Sequence, residues 1–157
     1  MASQEYYVLL VDDDIDLMET MKEILEREGY HVDTSPTAEG ALKKLREHYY
    51  DVIVIDIMLP DMSGIDLLRS IEVSRIPRIR KIILTGHATL ENAVQSLNLG
   101  ADAYLIKPVA PGKLIRTIAD QIKKQNDEIL MIQDRIRRFI ERDVEERIKR
   151  IAEEKYL

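Results

Sequence analysis

The sequence predicts an α/β protein with five parallel strands in the order 2-1-3-4-5, helices on both faces of the sheet, and a last helix drawn out into a long tail. Three observations predict it. Five short runs rich in Val, Ile and Leu alternate with five amphipathic segments within about 120 residues, which is how a doubly covered parallel sheet reads. The informative polar residues all fall where a strand run ends. Beyond Lys124 the chain continues for 33 residues without a Gly or Pro.

The elements follow in order. Tyr6 to Val11 is the first strand and ends in Asp12-Asp13-Asp14. Ile15, Met18, Met21, Ile24 and Leu25 recur at helical spacing up to Gly29, a residue suited to helix termination. Asp14 suits the cap of that helix. His31 to Thr34 is shorter and more polar, as expected of a strand near an edge. Ala38, Ala41, Leu42 and Leu45 mark the second helix. Asp51 to Ile55 hardly alternates, which fits a strand buried on both faces. A lone carboxylate, Asp56, follows it, then a loop with Pro60, Ser63 and Gly64, then a third helix from about Ile65 to Ile71. Ile82 to Leu84 is the fourth strand and closes on Thr85-Gly86. Thr89 caps a fourth helix that runs to Gly100. Ala103 to Ile106 is the fifth strand, followed by Lys107-Pro108. Pro111 suits the first position of the fifth helix. With right-handed crossovers the expected order reverses between strands 1 and 3, the flavodoxin-like (βα)5 arrangement, and that reversal brings Asp12 and Asp13 opposite Asp56.

Composition excludes several classes. The chain has 157 residues, no Cys, 45% apolar and 33% charged residues. Disulfides and thiolate metal sites are therefore absent. The N-terminal residues show no basic and apolar leader, and no apolar run is long enough to span a bilayer, so a cytoplasmic protein with no membrane partner is expected. Net charge is −6, and all of the excess acid lies before residue 119, because residues 119–157 carry ten basic and ten acidic side chains. No basic footprint points to nucleic acid.

Asp56 alone has two readings, a ligand-edge carboxylate or a turn cap. The rest of the rim decides between them. Asp12, Asp13 and Asp56 crowd one edge, so either protons or a cation must offset their repulsion, and hard oxygen donors with room for water suit Mg²⁺. Lys107 adds a point charge with three donors, and Thr85 adds a hydroxyl. No glycine-rich nucleotide loop is present. The chemistry left is attack by a carboxylate on a phosphoryl group to give an aspartyl-phosphate.

Val11-Asp12-Asp13, the run from Asp56 to Gly64, Leu84-Thr85-Gly86, Gly100 to Tyr104 and Lys107-Pro108 together resemble the receiver domains of two-component response regulators, over residues 5 to about 122. The resemblance implies that Asp56 accepts a phosphoryl group from a sensor histidine kinase. It implies that Asp12, Asp13, Asp56 and the backbone carbonyl of Met58 surround Mg²⁺, and that Lys107 pairs with the phosphoryl group through a loop whose bond to Pro108 is cis. Thr85 and Tyr104 would be the switch pair that alters the surface of the fourth helix, fifth strand and fifth helix. The resemblance implies a signalling module, not an enzyme, whose catalysis is confined to its own phosphorylation and dephosphorylation. One departure is Val109, where many receivers have Phe after Lys-Pro.

In the tail, Ile118, Ile122, Gln125, Ile129, Ile132, Ile136 and Phe139 step by 4 and 3, a heptad seam. Ile140, Val144, Ile148 and Ile151 continue it with a stutter. The sequence thus divides into a phosphoacceptor domain over 1–122 and a coiled-coil extension over 123–157, one helix from about 111 to 155. The extension needs a partner helix, so a homodimer is expected, with Gln125 as a polar seam position that fixes register. Three other readings compete. An aspartate-nucleophile phosphatase would need a second Asp where Met58 stands. A structural pseudo-receiver would not need the intact rim. A receiver fragment of a larger regulator, with a DNA-binding or ATPase output domain, fits the same residues.

Overall fold

In the computed structural model, residues 3–71 and 75–156 are described. The strands are β1 (Tyr7–Val11), β2 (His31–Ser35), β3 (Val52–Ile55), β4 (Arg80–Thr85) and β5 (Ala103–Ile106). The helices are α1 (Ile15–Arg27), α2 (Ala38–Glu47), α3 (Gly64–Ser70), α4 (Leu90–Asn98) and α5 (Pro111–Lys155). All strand pairs are parallel and the order is β2-β1-β3-β4-β5, as the sequence predicts.

The period of two along each strand sorts the core into two layers. Leu9, Val11, Ile53, Ile55 and Ile83 face Ala38 and Ala41 of α2 and Leu67 and Leu68 of α3. Val8, Leu10, Val52, Val54, Ile82 and Leu84 face Met18, Met21 and Leu25 of α1 and Leu114, Ile118 and Ile122 of α5. Both faces of the central strands are therefore dry, which explains why β3 reads as an unbroken apolar run.

Strand β4 begins two residues earlier than the apolar run. Arg80 and Lys81 are both buried in it. Asp102, just before β5, offsets the first charge by receiving Arg80 Nη1 at 3.3 Å and ties the strand by receiving the Lys81 backbone N–H at 2.9 Å, while burial pulls the Lys81 ammonium down.

Helix α2 has an unusual cap. Thr37 Oγ1 accepts the Gly40 N–H, as an N-cap does. The two preceding N–H groups go to Asp61 in the β3–α3 loop, Ala38 at 2.9 Å and Glu39 at 2.8 Å. The N–H groups of Glu39 and Ala38 hold the Asp61 carboxyl below the ordinary carboxylate range. A group with a depressed folded-state pKa adds stability above its unfolded pKa and loses it as pH falls through the folded one. Asp61→Asn is therefore expected to lower the denaturant midpoint by a constant amount above about pH 5, with the difference shrinking below about pH 4. Denaturant titrations of both proteins across that range check it.

Helix α5 spans 45 residues, about 68 Å. Ile136, Phe139, Ile140, Val144, Ile148 and Ile151 along it are 47–63% exposed. Gln125 departs from the seam expectation. It is buried against the chain's own body, with Nε2 donating to Arg78 O at 3.0 Å and Asp51 O at 3.4 Å. Heptad spacing cannot distinguish a seam from a body-facing stripe, because both recur on one helix face. No helix among the described residues is long and apolar enough to cross a membrane.

Candidate functional site at the carboxyl edge of the sheet

Ladder register positions the site backbone. Val11 pairs with Ile55 and Thr85 with Ile106, so Asp12, Asp56 and Lys107 each lie one residue beyond a paired strand end. The last rungs run through the site residues themselves: Asp56 N donates to Val11 O, Asp12 N to Ser35 O, and Lys107 N to Thr85 O. These bonds fix where each side chain leaves the sheet.

The side chains converge. Carboxylate oxygens of Asp12, Asp13 and Asp56 all lie within 4.8 Å of one another. Asp12 and Asp56 are buried and Asp13 is exposed. Lys107 Nζ bridges the buried pair, 2.5 Å from Asp12 Oδ2 and 3.1 Å from Asp56 Oδ2. Asp12 Oδ1 accepts the Asp14 N–H at 2.9 Å. Asp56 Oδ1 accepts the Met58 N–H at 3.3 Å, which holds the Met58 peptide beside the carboxylate. The Met58 side chain is exposed. Thr85 is buried, and its Oγ1 accepts the His87 N–H at 3.0 Å. The Lys107-Pro108 bond is cis, as expected. Asp14 caps α1 by accepting the Leu17 N–H, also as expected.

Electrostatics favours a further cation. Burial pushes the Asp12 carboxyl upward, and the bonds from Lys107 and the Asp14 N–H only partly offset it. Burial pulls the Lys107 ammonium down, yet Asp12 and then Asp56 outweigh it and hold it above the usual lysine range. Two buried carboxylates share one ammonium and Asp13 stands beside them, so the cluster carries an excess of negative charge and attracts a cation. An all-oxygen donor set with one exposed member fits Mg²⁺, which keeps several waters.

Tyr104 pairs with Ile83 in the ladder and packs against the core layer of α2 and α3. Its hydroxyl is buried with no hydrogen-bond partner among the described residues.

The sequence places Gly64 in the loop after Asp56 but does not show why a glycine is needed there. A Cβ there would lie 2.1 Å from Asp56 O and 2.8 Å from Ile57 Cα, so the loop after Asp56 folds back onto its own start. The Gly64 N–H donates to Ile57 O at 2.8 Å and closes that return. The Ser-Gly pair after Pro60 marks a turn but does not reveal the contact.

Val109 opens space. Leu17, Met21 and Ile24 of α1, Leu84 of β4, and Val109 and Leu114 line a cavity of about 390 Å³ beside Lys107. Val109→Phe is expected to fill part of it and stabilise the fold by about 1 kcal/mol. The thermal midpoint should rise by about 3 °C, as read by calorimetry.

Comparisons with known proteins agree with this geometry. Residues 8–119 match the response regulator receiver domain family. The alginate biosynthesis transcriptional regulatory protein AlgB of Pseudomonas aeruginosa is 32% identical over 133 residues, 83% of this chain. The chain spans 29% of that relative's length. A CheY-like receiver domain protein from Methanospirillum hungatei is 42% identical with a TM-score of 0.76, covering 80% of this chain and 99% of that one. The beryllofluoride-activated NtrC4 receiver domain dimer is 34% identical with a TM-score of 0.71, covering 76% of this chain and 98% of that one. The parallel sheet covered on both faces, the acidic rim and the matched span lead to one assignment: the chain belongs to the response regulator receiver domain family.

Proposed function

We propose that this receiver accepts a phosphoryl group on Asp56 from a sensor histidine kinase. The observation that carries the reading is the Lys107 ammonium bridging Asp12 and Asp56 inside a cluster of three carboxylates. An Asp56 oxygen attacks phosphorus, the bond from phosphorus to the kinase imidazole breaks, and its electron pair returns to that nitrogen. Asp12, Asp13, Asp56 and the Met58 carbonyl would hold Mg²⁺, which when bound neutralises charge on the transferring oxygens. Lys107 turns from the carboxylates to the new phosphoryl group, and Thr85 offers it a hydroxyl. Tyr104 then takes up the space that Thr85 leaves, which changes the α4-β5-α5 surface. The protein acts in the cytoplasm as a signalling module whose catalysis is limited to gaining and losing this group.

Incubation with acetyl phosphate and Mg²⁺, read by intact mass, tests the reading. A gain of one phosphoryl group, abolished by EDTA, is expected. An unchanged mass would leave only a structural pseudo-receiver.

The output half of the reading lies in the extension over 123–157, which we assign to a homodimer with no direct nucleic-acid contact. Its exposed isoleucines lack a partner in the single chain. Ile140→Asp combined with Ile148→Asp is expected to halve the mass seen by light scattering while leaving the receiver's thermal midpoint within about 2 °C, since neither side chain touches the core. A second reading, the receiver piece of a larger regulator, is favoured by the 29% share of AlgB that the chain spans.

A further inference from the structure

Under the sheet, at the edge opposite the acidic rim, four polar side chains on one face of α5 reach the body. Gln121 Nε2 donates to Asp102 O at 3.4 Å. Gln125 Nε2 donates to Arg78 O and Asp51 O. Asn126 Nδ2 donates to the Tyr6 hydroxyl at 2.9 Å. Glu128 Oε1 lies 2.7 Å from Arg80 Nη2 and 4.0 Å from Arg78 Nη2. The same two arginines hold Asp102: Arg78 grips it with both Nη atoms at 2.6 and 2.9 Å, and Arg80 reaches it at 3.3 Å.

We propose that these residues form a clamp that fixes the direction in which α5 leaves the receiver, with the Arg80–Glu128 ion pair as its releasable end and Asp102 as its link to β5. The inner part is permanent in character. Gln121 and Gln125 are buried, and an amide removed from its backbone carbonyl partners there would be left unsatisfied. The outer part is different. Glu128 is 46% exposed at its side chain, so water can take the place of Arg80 on its carboxylate, whereas Arg80 is buried and keeps Asp102. Asp102 lies two residues before Tyr104 and is held by both arginines that meet Glu128. A displacement of β5 therefore moves the cation that holds the helix. Beyond this pair Ile129 and Ile132 still line a groove with Ile76 and Pro77, and the exposed apolar stripe from Ile136 to Ile151 follows. A small rotation at Glu128 is carried along a stiff helix to that stripe.

The input half of this inference rests on the receiver reading above. The chain has no cysteine, so paired reporters can be placed cleanly. Glu19→Cys on α1 and Arg135→Cys on the tail, both exposed, carry spin labels in a sample diluted with unlabelled chain. Pulsed electron resonance reads their separation. In the otherwise unaltered protein the distribution should be narrow. Glu128→Ala should widen it about twofold, while Glu141→Ala, remote from the body, should not. Equal widths with and without Glu128 overturn the clamp. Beryllofluoride with Mg²⁺ is then added, with fluorine resonance reporting whether it binds. The mean separation should shift in the parent and not in Glu128→Ala. Bound fluoride without a shift overturns the link through β5 and leaves the receiver reading intact. No bound fluoride overturns both.

Discussion

Asp56→Asn is expected to gain no phosphoryl group under conditions in which the parent is fully converted, a loss of at least about a hundredfold in rate. The neighbours should not substitute for it. Asp12 is buried, holds the Asp14 N–H with one oxygen and carries the shorter bond to Lys107 with the other. Asp13 is exposed, with less of the enclosed, cation-backed setting that makes a carboxylate an effective nucleophile. The variant should nevertheless fold. Removing one charge from a crowded set of three relieves repulsion, and the single amide oxygen can keep the bond from Lys107 Nζ, so only the long bond from Met58 N is lost. The expected signature is thus a thermal midpoint no lower than the parent's with no mass gain. A residue whose role was only structural would give the opposite pattern. Intact mass and calorimetry on the same two samples check both halves.

What the sequence reveals and what it hides divide along physical lines. The strands were legible because burial on both faces leaves unbroken Val and Ile runs, and the rim was legible because Asp12, Asp56, Thr85 and Lys107 each sit at the end of such a run. The first two residues of β4 were hidden. Arg80 and Lys81 argue against a buried strand, and the carboxylate that takes the Arg80 guanidinium and the Lys81 backbone N–H, Asp102, lies more than twenty positions away. Gln125 hides its role for a related cause: its spacing matches a seam, while its partners Asp51 and Arg78 are distant in sequence. Asp61 over the start of α2 is a third case. Local pattern reports which face a residue occupies. It does not report which polar group waits on that face.

Gly64→Ala is the second large effect, and here two contributions oppose each other. Gly64 opens α3, and helix propensity alone favours Ala over Gly by up to about 1 kcal/mol. Sterics oppose it. The added Cβ would meet Asp56 O at 2.1 Å, Asp56 C at 2.8 Å and Ile57 Cα at 2.8 Å. All three are backbone atoms, so no side chain can rotate away, and the loop must move instead. Overpacking of this kind costs about 3 kcal/mol, which outweighs the propensity gain. The net loss of about 2 kcal/mol should lower the thermal midpoint by about 6 °C. The move cannot spare the site, because upstream Asp56 N is anchored to Val11 O and downstream Gly64 N is anchored to Ile57 O. The peptide between these anchors has to turn, and it carries the Asp56 carboxylate with it. Phosphorylation from acetyl phosphate should therefore slow by about tenfold or more, since displacements near 1 Å at a reacting group cost that much. Gly86→Ala serves as the control: its Cβ would find only Lys107 side-chain carbons at 4.0 Å, an ordinary contact. If Gly64→Ala matched Gly86→Ala in both midpoint and rate, the folded-back loop would not be what holds Asp56 in place.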